Sequence, residues 1–185
     1  MIYVIDHEDS FTYNLVHLLE GFGPTYVSNY YDINLQKLEE SKIIIFSPGP
    51  GNPSHYPETQ KIYKKYKGNK KIIGICLGFQ QILYAENAHI VPQNKIYHGY
   101  QSRVKALKES TLFKLIKVFL TGRYHSLKLK EPFNSSSLKI SMRCVESNVA
   151  MAIEDTINNI YGFQFHPDSF LTVDGKFLIQ KVLQF

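Results

Sequence analysis

The sequence predicts an α/β protein: a mostly parallel central sheet with helices on both faces, plus a smaller antiparallel sheet. Three observations carry this. Apolar runs without polar alternation, at Ile2–Ile5, Ile43–Phe46 and Ile72–Ile75, read as strands buried on both faces. Segments with apolar residues at helical spacing lie between them. The second half changes character, to short strand-like runs separated by turn residues, as in antiparallel additions.

The first run ends at Asp6. Asp9 or Ser10 is then placed to cap a helix that puts Phe11, Leu15, Leu18, Leu19 and Phe22 on one face and stops at Gly21 and Gly23. Thr25–Val27 is strand-like, and Leu35–Glu40 fits a short helix. Ile43–Phe46 is halted by Ser47-Pro-Gly-Pro-Gly-Asn-Pro53. A Lys-rich helix follows, with Ile62, Tyr63 and Tyr66 inward, then the run Lys71–Ile75 and a helix over Gly78–Ala85. Arg103–Leu107, Val118–Thr121, Leu138–Cys144, Val149–Ile153 and Ile160–Phe165 are the later strands. Gly175–Phe185 closes the chain as a helix with Phe177, Leu178, Val182 and Leu183 on one side. No repeat or linker interrupts residues 1–185, which read as a single domain.

The 185 residues are 44% hydrophobic and 20% charged and include 25 Phe and Tyr, which excludes a disordered chain. No apolar run approaches the ~18 residues of a membrane span, and Met1–Asp6 has no basic signal-like flank, so no membrane association is expected. Two cysteines, Cys76 and Cys144, cannot form a disulfide framework; a reducing, cytoplasmic setting is expected. The net charge of +5 is concentrated in Lys61–Lys71, where Lys and Tyr could meet a nucleic acid. The solvated face of a helix explains the same residues, so no nucleic-acid partner is expected.

Gly74-Ile-Cys76-Leu-Gly78 is the strongest chemical signal. A nucleophile flanked by glycines between a strand and a helix makes a tight elbow that exposes the central side chain. The helix N-terminus there favours a thiolate. The alternative is a structural cysteine between packing glycines. A cysteine nucleophile needs a base and an orienting group. His166 ends the run Ile160–Phe165, where side chains gather above an α/β sheet, and Asp168 follows two residues later. The Ser47–Pro53 loop lacks the glycine and lysine pattern of a nucleotide site. Its prolines leave the N–H groups of Gly49 and Gly51 free, and two donors beside a cysteine, completed by the N–H of Leu77, would make an oxyanion hole. No His-Glu-x-x-His or Cys-x-x-Cys spacing supports a metal site in this chain.

Asp6-x-x-Asp9-Ser-Phe-Thr-Tyr-Asn14, Ser47–Pro53, Gly74-Ile-Cys-Leu-Gly78-x-Gln80, His98-Gly99, Gly122-Arg-Tyr-His-Ser-Leu127 and Gly162-Phe-Gln-Phe-His-Pro-Asp-Ser169 follow one another along the chain. In this order they resemble the class I (triad-type) glutamine amidotransferases, whose sheet is flavodoxin-like. Within them the chain is similar to the small glutaminase subunits of anthranilate synthase and aminodeoxychorismate synthase. The resemblance implies that Cys76 attacks the side-chain amide of L-glutamine, that His166 moves the proton, and that Gly49 and Leu77 hold the oxyanion. It implies glutamine-binding roles for Gly49, Gly51, Gln80, Ser126 and Leu127. It also implies that the partner is a larger chorismate-binding synthase subunit, which would hold Mg2+, with no cofactor in this chain. Ser10, Phe11, Tyr13 and His98-Gly99 match motifs without an evident catalytic role, and are expected near that partner.

Two positions depart from the family. Its triad carboxylate is usually Glu and here is Asp168; position 79, commonly His, is Phe79. Asp is one methylene shorter, so a direct bond to His166 requires the turn at Pro167 to bring the backbone closer, which is the expected arrangement. The other readings are a catalytically weakened binding or regulatory subunit, supported by Asp168 and Phe79, and a stand-alone cysteine peptidase, against which Gln80 and Ser126-Leu127 count.

Overall fold

The computed structural model describes residues 1–114 and 118–185. The strands are β1 (Ile2–Asp6), β2 (Thr25–Asn29), β3 (Ile43–Phe46), β4 (Lys71–Ile75), β5 (Ile90–Pro92), β6 (Tyr100–Ala106), β7 (Phe119–Arg123), β8 (Leu127–Leu129), β9 (Lys139–Cys144), β10 (Ala150–Asp155) and β11 (Ile160–Phe163). The α-helices are α1 (Thr12–Leu19), α2 (Leu35–Glu40), α3 (Pro57–Tyr66), α4 (Leu77–Ala85) and α5 (Gly175–Gln184).

Nine strands form one sheet in the order β2-β1-β3-β4-β11-β10-β9-β6-β7. The first five are parallel and the pairs from β11 to β7 are antiparallel. A separate two-stranded antiparallel sheet joins β5 and β8. The expected α/β class and mixed sheet are present. The later strands, though, extend the central sheet, and β11 is its hinge, parallel to β4 and antiparallel to β10. An apolar run states that a strand is buried, not which way its neighbour runs.

Alternation along the strands divides the core. Ile2 and Val4 of β1 join Leu15 and Leu19 of α1 and Leu178, Ile179 and Val182 of α5 on one face. Tyr3 and Ile5 join Leu38 of α2, Ile62, Tyr63 and Tyr66 of α3, and Ile82 and Leu83 of α4 on the other. Helices thus cover both faces. The Lys-rich helix buries the three residues expected, and Lys61 and Lys65 pair with Glu58 and Glu39 on its solvated side. No helix among the described residues is long and apolar enough to cross a membrane.

The start of α1 differs from expectation. Its N-cap is Phe11, and the Asp9 carboxylate accepts the Phe11 N–H at 2.8 Å one residue earlier. The Thr12 hydroxyl meanwhile donates to Asp6 at 2.7 Å. This ties the helix to the end of β1 and carries Phe11 over the sheet edge that bears the site.

Candidate active site

The carboxyl ends of parallel strands deliver the site, as in other open α/β sheets. His7 follows β1, the Ser47–Asn52 loop follows β3, Cys76 follows β4, and Gln164 to His166 follow β11. Cys76 has φ 52° and ψ −99°, a strained conformation for a residue with a side chain. Close packing enforces it. A Cβ on Gly78 would lie 2.1 Å from the Phe46 carbonyl oxygen, and one on Gly74 would lie 2.4 Å from the Gly78 carbonyl carbon. Only glycines let β3, β4 and α4 approach so closely. The Cys76 N–H is anchored on the Phe163 carbonyl at 2.8 Å, and Leu77 begins α4. The elbow expected from the sequence is therefore formed, one helical residue earlier than predicted.

His166 is fixed at both backbone ends. Its N–H donates to the Gly122 carbonyl at 3.0 Å, and its own carbonyl accepts from the Thr172 hydroxyl at 2.6 Å. That hydroxyl also receives the Gly122 N–H at 2.9 Å, tying β7, His166 and the loop before α5 together. Phe11 and Tyr124 meet the imidazole edge-on, with ring centroids 4.9 and 5.0 Å away. A Cβ on Gly175 would lie 1.8 Å from the Pro167 carbonyl oxygen, so the start of α5 sets the turn carrying Asp168.

The carboxylate does not reach as expected. Asp168 Oδ2 stands 3.6 Å from His166 Nδ1, and both side chains are nearly or fully buried. Neither that nitrogen nor either carboxylate oxygen has a hydrogen-bond partner among the described residues. The backbone has not moved in to offset the missing methylene; the contact is an ion pair beyond hydrogen-bond length. Burial alone would push the His166 imidazole down. The negative charges of the Cys76 thiolate and Asp168 oppose burial and raise it to about 10.

The other expected residues divide. Gly49 stands beside the elbow: a Cβ there would lie 2.6 Å from Leu77 Cδ2. Gln80 is buried, and its amide donates to Gln164 Oε1 at 3.0 Å, while Gln164 Nε2 approaches Cys76 Sγ at 3.8 Å. Gly51 and Ser126 are exposed and Leu127 opens β8; the structure does not bring them into this cluster. Phe79 is fully buried in the second core, a packing residue. Cys76 itself is only 7% exposed, and the 590 Å³ cavity bounded by Gln60, Lys64, Tyr84 and His89 lies elsewhere, between α3 and the end of α4.

Sequence reasoning missed His7, Gln164 and Arg123. Arg123 is fully buried with no carboxylate in ion-pair contact among the described residues. It lies 3.5 Å over the Tyr97 ring, and its guanidinium donates to His125 Nε2, Gln93 Oε1 and Cys144 Sγ. Burial, reinforced by this cation, drives His125 down to about 3. Cys144, expected as an ordinary strand residue, is a partner of that guanidinium. The signal available was a charged residue inside Phe119–Arg123, on the same buried face of the strand as Phe119 and Thr121.

A strained cysteine at the top of a parallel sheet, beside a buried His–Asp pair, is the equipment of a cysteine-nucleophile amide hydrolase. The family model "Glutamine amidotransferase class-I" matches residues 3–184, and the chain belongs to that family. It is 36% identical over 182 residues to "Anthranilate synthase component 2" of Lactococcus lactis, covering 97% of this chain and 92% of that protein. It is also 36% identical over 194 residues to the protein of that name from Helicobacter pylori, covering 100% and 96%. The "Bifunctional protein TrpGD" of Thermotoga maritima is 30% identical, matching 98% of this chain and 32% of its own length. Among solved structures, a candidate GMP synthase component from Thermoplasma acidophilum superposes with a TM-score of 0.84 at 20% identity, covering 99% and 92%. A glutamine amidotransferase from Thermotoga maritima gives 0.70 at 15% identity, covering 90% and 75%. These two likenesses concern the fold.

Proposed function

We propose that this chain is the glutaminase subunit of a chorismate-using synthase, and that it acts in the anthranilate branch. The observation that carries the chemistry is the strained Cys76 beside the buried His166–Asp168 pair. The branch is supported by the names of the relatives that match nearly the whole chain.

The Cys76 thiolate attacks the side-chain carbonyl carbon of L-glutamine. The N–H groups of Gly49 and Leu77 stabilise the resulting oxyanion. Imidazolium at His166 gives its proton to the departing nitrogen as the C–N bond breaks, leaving a glutamyl thioester and ammonia. The neutral imidazole then takes a proton from water, which attacks the thioester; the C–S bond breaks and glutamate leaves with the thiolate restored. Asp168 favours the charged imidazole. Gln80, Gly51, Ser126 and Leu127 hold the glutamine substrate. Ammonia passes to a larger subunit that binds chorismate and Mg2+.

A site that is only 7% exposed at its nucleophile supports completion by that partner. Cys76→Ala should abolish glutamine-dependent amination by the two-subunit complex and leave ammonia-dependent amination intact. Normal glutamine-dependent turnover in the variant removes Cys76 from the mechanism. A weakened regulatory subunit is the second reading, favoured by the 3.6 Å gap at Asp168; glutamate release by the wild-type complex decides against it.

A further inference from the structure

His7 is fully buried beneath the loop that follows β3, and the chemistry above gives it no role. Its hydrogen bonds define its proton. The Ser47 hydroxyl has one hydrogen, and its shortest contact, 2.6 Å, is to the Pro48 carbonyl oxygen, which can only accept. Ser47 Oγ therefore accepts from the His7 backbone N–H at 2.9 Å and from His7 Nδ1–H at 3.2 Å. That leaves Nε2 bare, to accept from the Thr59 hydroxyl at 3.0 Å. Burial keeps this imidazole neutral, pushed down to about 3. Tyr30 stacks on the ring and Tyr56 meets it edge-on, with centroids 5.9 and 5.0 Å away, so it cannot turn.

The consequence lies one peptide further on. The only cis peptide bond among the described residues is Glu131–Pro132, so Pro48–Gly49 is trans, and its C=O and N–H point in opposite directions. Holding the Pro48 oxygen on Ser47 therefore fixes the direction of the Gly49 N–H. That N–H has no acceptor among the described residues. A Cβ at Gly49 would lie 2.5 Å from His7 Cβ and 2.6 Å from Leu77 Cδ2, so this peptide is wedged between the buried histidine and the elbow. Pro-Gly is also a sequence at which the central peptide flips easily, since glycine accepts both signs of φ.

We propose that Thr59, His7 and Ser47 form a positioning relay that locks the Pro48–Gly49 peptide and presents the Gly49 N–H to the oxyanion formed at Cys76. The inference rests on the glutaminase reading for its functional consequence, and on the hydrogen bonds for the lock itself.

The test compares Ser47→Ala, His7→Leu and His7→Asn in the two-subunit complex. Removal of a whole oxyanion donor costs about 10²–10³ in kcat; a donor left free to rotate should cost about tenfold to a hundredfold. Ser47→Ala and His7→Leu should lose that much kcat, with the glutamine KM within about twofold. Affinity for the γ-aldehyde of glutamate, whose adduct on Cys76 needs the same donor, should fall by the same factor. Glutamate affinity and the rate of Cys76 alkylation by iodoacetamide should not move. His7→Asn, whose side-chain N–H can reach Ser47 from nearly the Nδ1 position, should restore kcat. Unchanged kcat in Ser47→Ala and His7→Leu overturns the relay, as does a loss that falls on KM, glutamate binding or alkylation.

If Ser47→Ala does not fold, the His7 pair carries the same comparison. The amide signal of 15N-labelled Gly49 gives a readout independent of turnover. It should be single and sharp in the wild type and His7→Asn, and split or broadened in His7→Leu. A wild type that releases no glutamate fails the glutaminase reading, and the Gly49 signal still decides the relay.

Discussion

Asp168 Oδ2 lies 3.6 Å from His166 Nδ1, and the two buried atoms face each other with no hydrogen-bonding partner for either among the described residues. The pair is held by charge and lacks the bond that would fix the ring. Asp168→Asn removes that charge, and kcat for glutamine hydrolysis in the complex should fall about a hundredfold. That is less than the ~10⁴ typical where the carboxylate is directly hydrogen-bonded. Asp168→Glu adds a methylene of about 1.5 Å, enough to close the gap, and should match or exceed the wild type. Equal activity with Asn would reduce the machinery to a Cys–His dyad.

The charge on His166 should be visible directly. Its imidazole signal should titrate near 10 in the wild type, because the Cys76 and Asp168 charges outweigh burial. Cys76→Ala removes one of these charges, so the titration should move down, and Asp168→Asn should move it the same way. The folded value lies above the ordinary 6.5, so this charge stabilises the fold fully below pH 6.5. Its contribution fades as pH rises through about 10. Denaturation midpoints across that window should fall with pH in the wild type, and less steeply in Cys76→Ala. Identical slopes would show that the ion pair adds nothing to folding.

The elbow depends on space. At Gly78 a Cβ would meet the Phe46 carbonyl oxygen at 2.1 Å, and backbone on both sides leaves nothing flexible to yield. Gly78→Ala should therefore cost about 3 kcal/mol or more, at the upper end of overpacking effects. Urea denaturation measures this, with an unchanged slope as the mark of an intact folded state. A cost below about 1 kcal/mol would mean that β3 and α4 are less tightly coupled than the distances imply.

What could be read before folding was what is local. Three apolar runs are enough to announce buried parallel strands, and one cysteine between two glycines announces a strained turn. His166 was legible because it sits at the end of such a run. His7, Gln164 and Arg123 were not, since each is a polar residue whose burial arises from elements distant in sequence. His7 gains its meaning from Ser47 and Thr59, 40 and 52 residues away. The dual pairing of β11 was hidden because both neighbours demand the same apolar strand. The reach of Asp168 depends on where α5 presses on Pro167, and nothing in the order of residues fixes that distance.

The residues expected near a partner gather on one rim. Phe11 packs on Tyr124 with centroids 4.8 Å apart, and His98 meets the same ring at 6.0 Å. Tyr13 is 73% exposed just beyond Phe11, and Phe170, four residues after His166, is 86% exposed. Gln101, next to exposed Tyr100, donates to the Leu171 carbonyl at 2.8 Å, which ties that strand to the segment bearing Phe170. Large exposed aromatics whose chain neighbours Phe11 and Ser169 pack on His166 and Tyr124 are the anchors a partner would bury, and truncating such an anchor costs at least about 2 kcal/mol of affinity. Tyr13→Glu and Phe170→Glu should each weaken assembly with the chorismate-binding subunit by about thirtyfold or more, with melting temperatures unchanged. Ile157 is equally bare, at 80% exposure, but lies on the turn entering β11, at the opposite end of the sheet. Ile157→Glu should leave assembly untouched, and Ile157→Glu weakening assembly as much as Phe170→Glu does would move the docking face away from the site.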